Sequence, residues 1–313
     1  MTEKAAPAVD VKSAKFRRVD YALIAMMILP IAVLIALKIF LTPATEEGKV
    51  SIAGALVYFR TSETLSMTTL YISESQVNTW AVMISLLGLC LYLTHGLTAK
   101  AELKRQLAAE WIVEKCESLV RSNMGGFFRE WAPFIAAIMG LSACSSLICL
   151  LGLFSPTGDV NVTFGWAVLV FILIMYYKFR GGIWNYTKGL FKPIPVFAPM
   201  NVIGEFATPV SMAFRHYGNI LSGAVISALI GSALTGLSKS LLGWLPGFLG
   251  DMPLLRVGLP AVLSIYFDVF SGVMQAFIFA MLTMLNVAGA VPWDDWNARR
   301  KKRNQPEIQN TAA

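Results

Sequence analysis

The sequence predicts an all-α integral membrane protein with about six transmembrane helices, the last two of them long and steeply tilted. Three observations predict it. Only 14% of the 313 residues are charged, 56% are hydrophobic, and mean hydropathy is +0.61, whereas ordinary soluble domains carry about 25% charged residues. Apolar runs long enough to cross roughly 30 Å of hydrocarbon recur along the chain. Lys and Arg also segregate between alternate connecting segments. Together these exclude a secreted, fibrous or disordered chain.

The first apolar run, 21–41, follows a tail (1–20) that holds Lys12, Lys15, Arg17 and Arg18. That order also resembles a signal peptide, but the run is longer than the about 7–15 residues of a signal core, which favours a retained helix. Residues 42–78 alternate weakly around Thr68 to Ser73, as a hairpin or cap would. The second run is 79–97. Residues 98–132 then mix Lys104, Arg105, Glu110, Glu114, Glu117 and Arg121 with Leu107, Trp111, Ile112 and Val113, the pattern of an interfacial amphipathic helix. The third and fourth runs cover 133–154 and 162–177.

The fifth run, 197–244, holds only Glu205, Arg215 and Lys239 as charges between Pro199 and Trp244. A helix of that length extends roughly 65–70 Å, about twice the hydrocarbon thickness, so it must tilt steeply or fold back. The sixth run, 257–292, has the same excess, and Gly and Pro near 246–260 offer a turn before it. The tail from 293 carries five consecutive cations, Arg299 to Arg303, and is solvated. No internal repeat is visible, which weighs against a stand-alone secondary transporter.

With both termini cytoplasmic, segments 1–20, 98–132, 178–196 and 293–313 hold 20 of the 26 Lys and Arg, and the outside segments hold four. The net charge of +7 is therefore mostly membrane topology, and it implies no nucleic-acid partner. Cys90, Cys116, Cys144 and Cys149 lack zinc spacing and read as small buried hydrophobes. No metal or cofactor is expected.

Ionisable groups inside a membrane cost about 2.5–3.5 kcal/mol each at a helix centre, so each needs a reason. Glu205, Arg215 and Asp268 stand out, Arg215 most, because a guanidinium stays protonated and must meet an anion or water. At helical spacing Thr208, Ser211, Arg215, Asn219 and Ser222 form one polar stripe, flanked by Gly218 and Gly223, where another backbone can approach. Ser264, Asp268, Ser271 and Gln275 form a second. The two stripes either line a hydrated path or tie two helices together by hydrogen bonds. Asp268 is either a proton or cation site or the neutralising partner of Arg215. Glu205 either accepts a released ion or sits at headgroup level. His216, about 100° round the helix from Arg215, reads as a packing or lipid-facing residue. In Asp159-Val160-Asn161-Val162-Thr163, Asp159 can cap a helix and Asn161 can face a neighbour, and the segment can also form the mouth of a path.

Three motifs in order carry a family resemblance: Pro-Thr-Gly-Asp-Val-Asn-Val-Thr at 156–163, Phe214-Arg215-His216-Tyr217-Gly218-Asn219, and Gln275-Ala276-Phe277-Ile278-Phe279. Over 77–292 the chain resembles subunit a of the F-type ATP synthase. The resemblance implies a helical bundle whose last two helices lie tilted against a ring of c subunits, with stator subunit b and the remaining synthase subunits as partners, in a bacterial-type inner or plasma membrane. It gives Arg215 the place of the essential arginine, Asn219 that of its polar neighbour, and Gln275 that of the glutamine on the final helix. It also implies two offset half-channels, proton or sodium transport, and no nucleotide site, in keeping with the missing P-loop.

The chain departs from the family at Ala224, where many members are titratable, and at Asp268, where others carry His or Glu. His216-Tyr217 replaces the commoner Leu-Phe. Residues 21–76 look like an additional helix and loop. The rival expectation is an autonomous ion channel or secondary transporter built on an Arg215/Asp268 site.

Overall fold

The computed structural model describes residues 8–41, 54–60, 71–97, 104–180, 182–191, 195–242, 258 and 262–293. Residues 1–7, most of the 42–70 loop, the turn before the sixth run and the C-terminal cations therefore lie outside the described residues. Among the described residues, six helices are long and apolar enough to cross a membrane. The first is α1 (Ala8–Leu41), which already begins within the stretch expected to be a tail. Next come β1 (Val57–Arg60) and β2 (Tyr71–Ser73), then α2 (Glu74–Thr94) and α3 (Lys104–Met124). A 3₁₀ turn, Gly126–Trp131, leads into α4 (Ala132–Leu147). After α5 (Val160–Arg180) and the short α6 (Ile183–Leu190) runs α7 (Ala198–Leu242). The sixth span, Val262–Gly289, opens with a π-helical turn at Ile265–Ser271 and continues as α8 (Gly272–Gly289).

The expected hairpin is present: β1 and β2 pair antiparallel, with Phe59 opposite Ile72. The strands end directly at α2, whose first amide, Glu74 N, donates to Leu56 O at 2.7 Å. The additional helix α1 packs along α2 and is fastened at both ends. Lys38 Nζ reaches the buried Glu74 carboxylate at 3.3 Å. At the other end the Asp20 carboxylate accepts from Arg105 at 2.8 Å and meets His95 Nδ1 at 3.1 Å. Between them Gly88 allows close contact, since a Cβ there would sit 3.0 Å from Met27 N.

Between membrane helices, packing depends on small residues and dispersion rather than on escape from water. The principal core accordingly lies where α3, α4, α5 and α8 converge, around Val120, Met124, Ile135, Val170, Met284 and Val287. An aromatic cluster closes one end: Phe128 lies edge-on to Tyr177, and Trp131 Nε1 donates to Tyr177 Oη at 3.0 Å. The amphipathic segment is a helix as expected, but only part of its apolar surface faces outward. Leu107, Trp111, Ile112 and Val113 are exposed, whereas Cys116, Val120 and Met124, four residues apart, pack into the core. Cys90 is also exposed, on the outer side of α2, so the expectation that the cysteines are buried fails there. A span surrounded by lipid has no need to bury it.

α7 does not fold back. It is one helix of 45 residues that runs through Pro209, about 67 Å at 1.5 Å per residue. One side packs on α5 and α8, and the other, with Phe206, Phe214, Arg215 and Leu221, is exposed.

The closest approach at a glycine among the described residues lies between α4 and α8. A Cβ on Gly272 would stand 2.7 Å from Ser146 Cβ, so Gly272→Val should destabilise the protein by about 2–3 kcal/mol through overpacking. Thermal unfolding in detergent measures this, and Gly165→Ala, with nothing within 4 Å of its added Cβ, should leave the transition unchanged or slightly raised.

Candidate functional site

The polar stripe of α7 runs from Thr208 to Ser222, and its centre is Arg215. The side chain is exposed, and among the described residues no carboxylate lies within ion-pair distance of it. In particular it does not pair with Asp268. That carboxylate accepts instead from Ser264, one turn earlier on its own span. Arg215 thus stands on a transmembrane helix with its charge uncompensated by any carboxylate among the described residues.

The two stripes meet one turn further along α7. Ser271 Oγ donates to Asn219 Oδ1 at 2.7 Å, the hydrogen bond that joins them. Gln275 lies one turn beyond Ser271 and is buried. Ser222 donates to Asn219 O at 3.1 Å and Thr208 to Gly204 O at 3.3 Å, while Ser211 faces outward. Of the two flanking glycines only Gly223 admits a neighbour, the Phe267 side chain, 3.1 Å from where its Cβ would be. Gly218 has open space beside it, so among the described residues its expected close backbone approach does not occur.

Glu205 does not stand free. Both carboxylate oxygens meet Lys178 Nζ from the last turn of α5. Across from them on α6, burial and then the Glu205 charge push the Tyr186 phenol above its ordinary value.

At the opposite end Asp159 caps α5 as its spacing suggested. Its Oδ1 accepts from Asn161 N at 2.9 Å and its carbonyl accepts Thr163 N at 3.2 Å. The other oxygen, Oδ2, accepts from Ser75 Oγ at 2.5 Å, which ties α5 to α2. Asn161 is exposed, and Thr163 is buried with its hydroxyl on Val160 O.

Several polar residues in this region were missed by the sequence reading. Glu74 is 2% exposed and holds Lys38, Leu56 N and Phe154 N. Asn78 Nδ2 donates to Phe154 O at 2.7 Å. On α4, Ser142, Ser145 and Ser146 are fully buried, and Ser142 Oγ lies 3.2 Å from His216 Nε2. His216 is therefore a packing residue and not lipid-facing, held edge-on between Trp166 and Phe279. The missed signal was present in Ser142-Ala143-Cys144-Ser145-Ser146, whose serines repeat at helical spacing in an apolar run. Glu74 gave none, because a carboxylate just before an apolar run looks like a loop charge. Asn78 Oδ1, Ser145 Oγ, His216 Nδ1 and Asn219 Nδ2 are buried without a hydrogen-bond partner in the described residues, each worth about 1–3 kcal/mol if left so.

The family model for the ATP synthase A chain matches residues 76–287. The chain is 30% identical over 232 residues to the sodium-ion-specific ATP synthase subunit a of Propionigenium modestum, covering 69% of this chain and 73% of that protein. It is 31% identical over 228 residues to ATP synthase subunit a of Bacillus pumilus, covering 67% and 90%. It is 30% identical over 248 residues to that of Bacillus subtilis, covering 75% and 98%.

Replacing Asp159 with Ala removes both the α5 cap and the Ser75 contact, and should cost about 1–2 kcal/mol. Asp159→Asn keeps an oxygen for the Asn161 amide and should recover most of it. Thermal unfolding of the two variants in one detergent decides between them.

Proposed function

Because this chain belongs to the ATP synthase subunit a family, we propose that it is the ion-translocating stator subunit of a rotary F-type synthase, coupling proton or sodium flow to rotation of a c-ring. The observation that carries this reading is the uncompensated guanidinium of Arg215. A permanent charge on a transmembrane helix needs an anion or water, and its own described chain supplies no carboxylate. A carboxylate on a second, moving chain meets that need, and the exposed face of α7 around Arg215 is a surface along which such a chain can pass.

The chemistry follows from fixed charge. A ring carboxylate that carries its ion is neutral and can face lipid. Opposite Arg215 it is held ionised, so it arrives by giving up its ion on one side and leaves by taking one from the other. Asp159, Asn161 and Thr163 then form the outer mouth. Ser264, Asp268, Ser271, Ser222, Asn219 and Gln275 line the outer half-channel, and the unpartnered polar atoms beside them support a hydrated path. Glu205, Thr208 and Ser211 line the inner half-channel. Arg215 blocks a direct leak between the two. Each elementary charge crossing yields about 2.3 kcal/mol per 100 mV, and the lateral offset makes rotation the route to it. Stator subunit b holds the chain against the torque. Residues 21–76 form an addition to the core domain at 77–292, both termini lie in the cytoplasm, and the last two spans lie tilted against the ring. Bonds in ATP are made elsewhere in the complex.

Arg215→Ala in the purified, reconstituted complex should abolish ion-driven ATP synthesis and raise passive ion leak, with assembly verified by subunit content. Retained synthesis in that variant rejects the stator reading. Asp268→Asn should lower synthesis at least tenfold, because no other carboxyl joins the second stripe. A rate equal to the parent's removes Asp268 from the path.

A further inference from the structure

A cavity of about 300 Å³ opens between α5, α6 and α7, beside the Lys178–Glu205 pair. Phe171, Met175 and Phe179 of α5, Tyr186 of α6, and Val202 and Phe206 of α7 wall it. The charged wall residue, Glu205, is neutralised by Lys178, so the cavity presents an apolar surface. The two polar groups on its walls are already engaged, Glu205 by Lys178 and the Tyr186 hydroxyl by Met175 Sδ at 3.9 Å, which leaves little to hold a water molecule that needs two to four polar partners. The rim faces outward: Phe179, Val202 and Phe206 are 40–57% exposed. On the helical wheel Val202, Glu205 and Phe206 stand about 80–180° round α7 from Arg215, so the cavity is distinct from the surface that carries the unpaired guanidinium.

Two cations flank the α5–α6 junction. Arg180 at the end of α5 lies 5.6 Å over the Tyr176 ring, and Lys188 of α6 lies 5.5 Å over the Trp184 ring. Both are exposed, and Ile183 and Trp184 beside them expose an apolar face. This end also belongs to the segments that hold most of the Lys and Arg. Cations interleaved with Trp and Tyr at the end of a transmembrane helix match the headgroup level of a bilayer, and basic pockets between helices select anionic headgroups.

We propose that this cavity binds an anionic phospholipid of the adjoining leaflet, with one acyl chain in the apolar slot and the phosphate on Arg180 and Lys188. The slot fits a chain of methylenes, and the paired Glu205 leaves no net negative charge to repel the headgroup. A zwitterionic lipid fills the same slot without the benefit of its net charge, so the site discriminates by headgroup. The inference goes beyond the stator reading and does not require it.

Photolabelling of the assembled complex in nanodiscs tests it. The probes are phosphatidylglycerol and phosphatidylcholine, each with a diazirine in one acyl chain, and adducts are mapped by peptide mass spectrometry. The expected result is labelling of 171–186 and 202–206 by the phosphatidylglycerol probe, at least fivefold above phosphatidylcholine and suppressed by excess unlabelled phosphatidylglycerol. Arg180→Gln with Lys188→Gln should remove that preference, while Arg180→Lys with Lys188→Arg keeps it. Equal labelling by the two probes, adducts elsewhere, or no competition overturns the proposal. If the Gln variant does not assemble, competition in the parent complex decides alone.

Discussion

A guanidinium that cannot lose its proton, held on a transmembrane helix without an anion from the described residues, is the constraint on which the rest of this structure depends. A soluble protein can leave an arginine in water at little cost. Inside a membrane the same group needs hydration or a carboxylate. The alternatives within the chain are visibly occupied. Asp268 is engaged by Ser264, Glu205 by Lys178, and Asp159 by Ser75 and the α5 amides. Each nearby carboxylate has local partners, which leaves Arg215 available for a partner from another chain.

That arrangement needs a rigid support, and the packing supplies it from small residues. Gly272 against Ser146 brings α8 onto α4, Gly223 receives Phe267, and Gly88 receives the backbone of α1. In lipid such contacts replace the hydrophobic effect as the source of cohesion, so close approach and dispersion matter more than bulk apolarity. The polar bonds are few but well separated along the bundle. Asn219–Ser271 sits near the centre of α7, Ser142–His216 lies one turn away, and Asp159–Ser75 and Lys38–Glu74 lie at one end. Each joins two helices, so together they set the register of several spans against one another. The chain belongs to the ATP synthase subunit a family, and the proposed stator role, that of a stationary partner to a moving surface, requires a fixed register.

Most of the architecture was legible in the sequence because membrane crossing is a one-dimensional constraint. Run length predicts spans, Lys and Arg bias predicts sidedness, and the 3.6-residue repeat places Thr208, Ser211, Arg215, Asn219 and Ser222 on one stripe. The resemblance at 156–163, 214–219 and 275–279 pointed to the same family whose model matches residues 76–287. The outcome was less faithful where a residue's neighbour is distant in sequence. His216 followed Arg215 in a motif, yet its environment is Ser142, Trp166 and Phe279 from three other elements. Glu74 looked like a loop charge, and only the return of α1 made it the partner of Lys38.

The sequence by itself determined that this is a helical membrane protein, roughly where it crosses, and which residue on α7 carries a permanent charge. Those properties are written in composition and periodicity, which depend on each residue and its near neighbours. The tertiary structure decided which acidic groups are already paired, which helix face is left without a neighbour, and that α7 is one unbroken rod with an apolar cavity beside it. These depend on where separate helices meet. Helix periodicity gives only the angle at which a side chain leaves its own axis, and the identity of the group that meets it comes from another part of the chain.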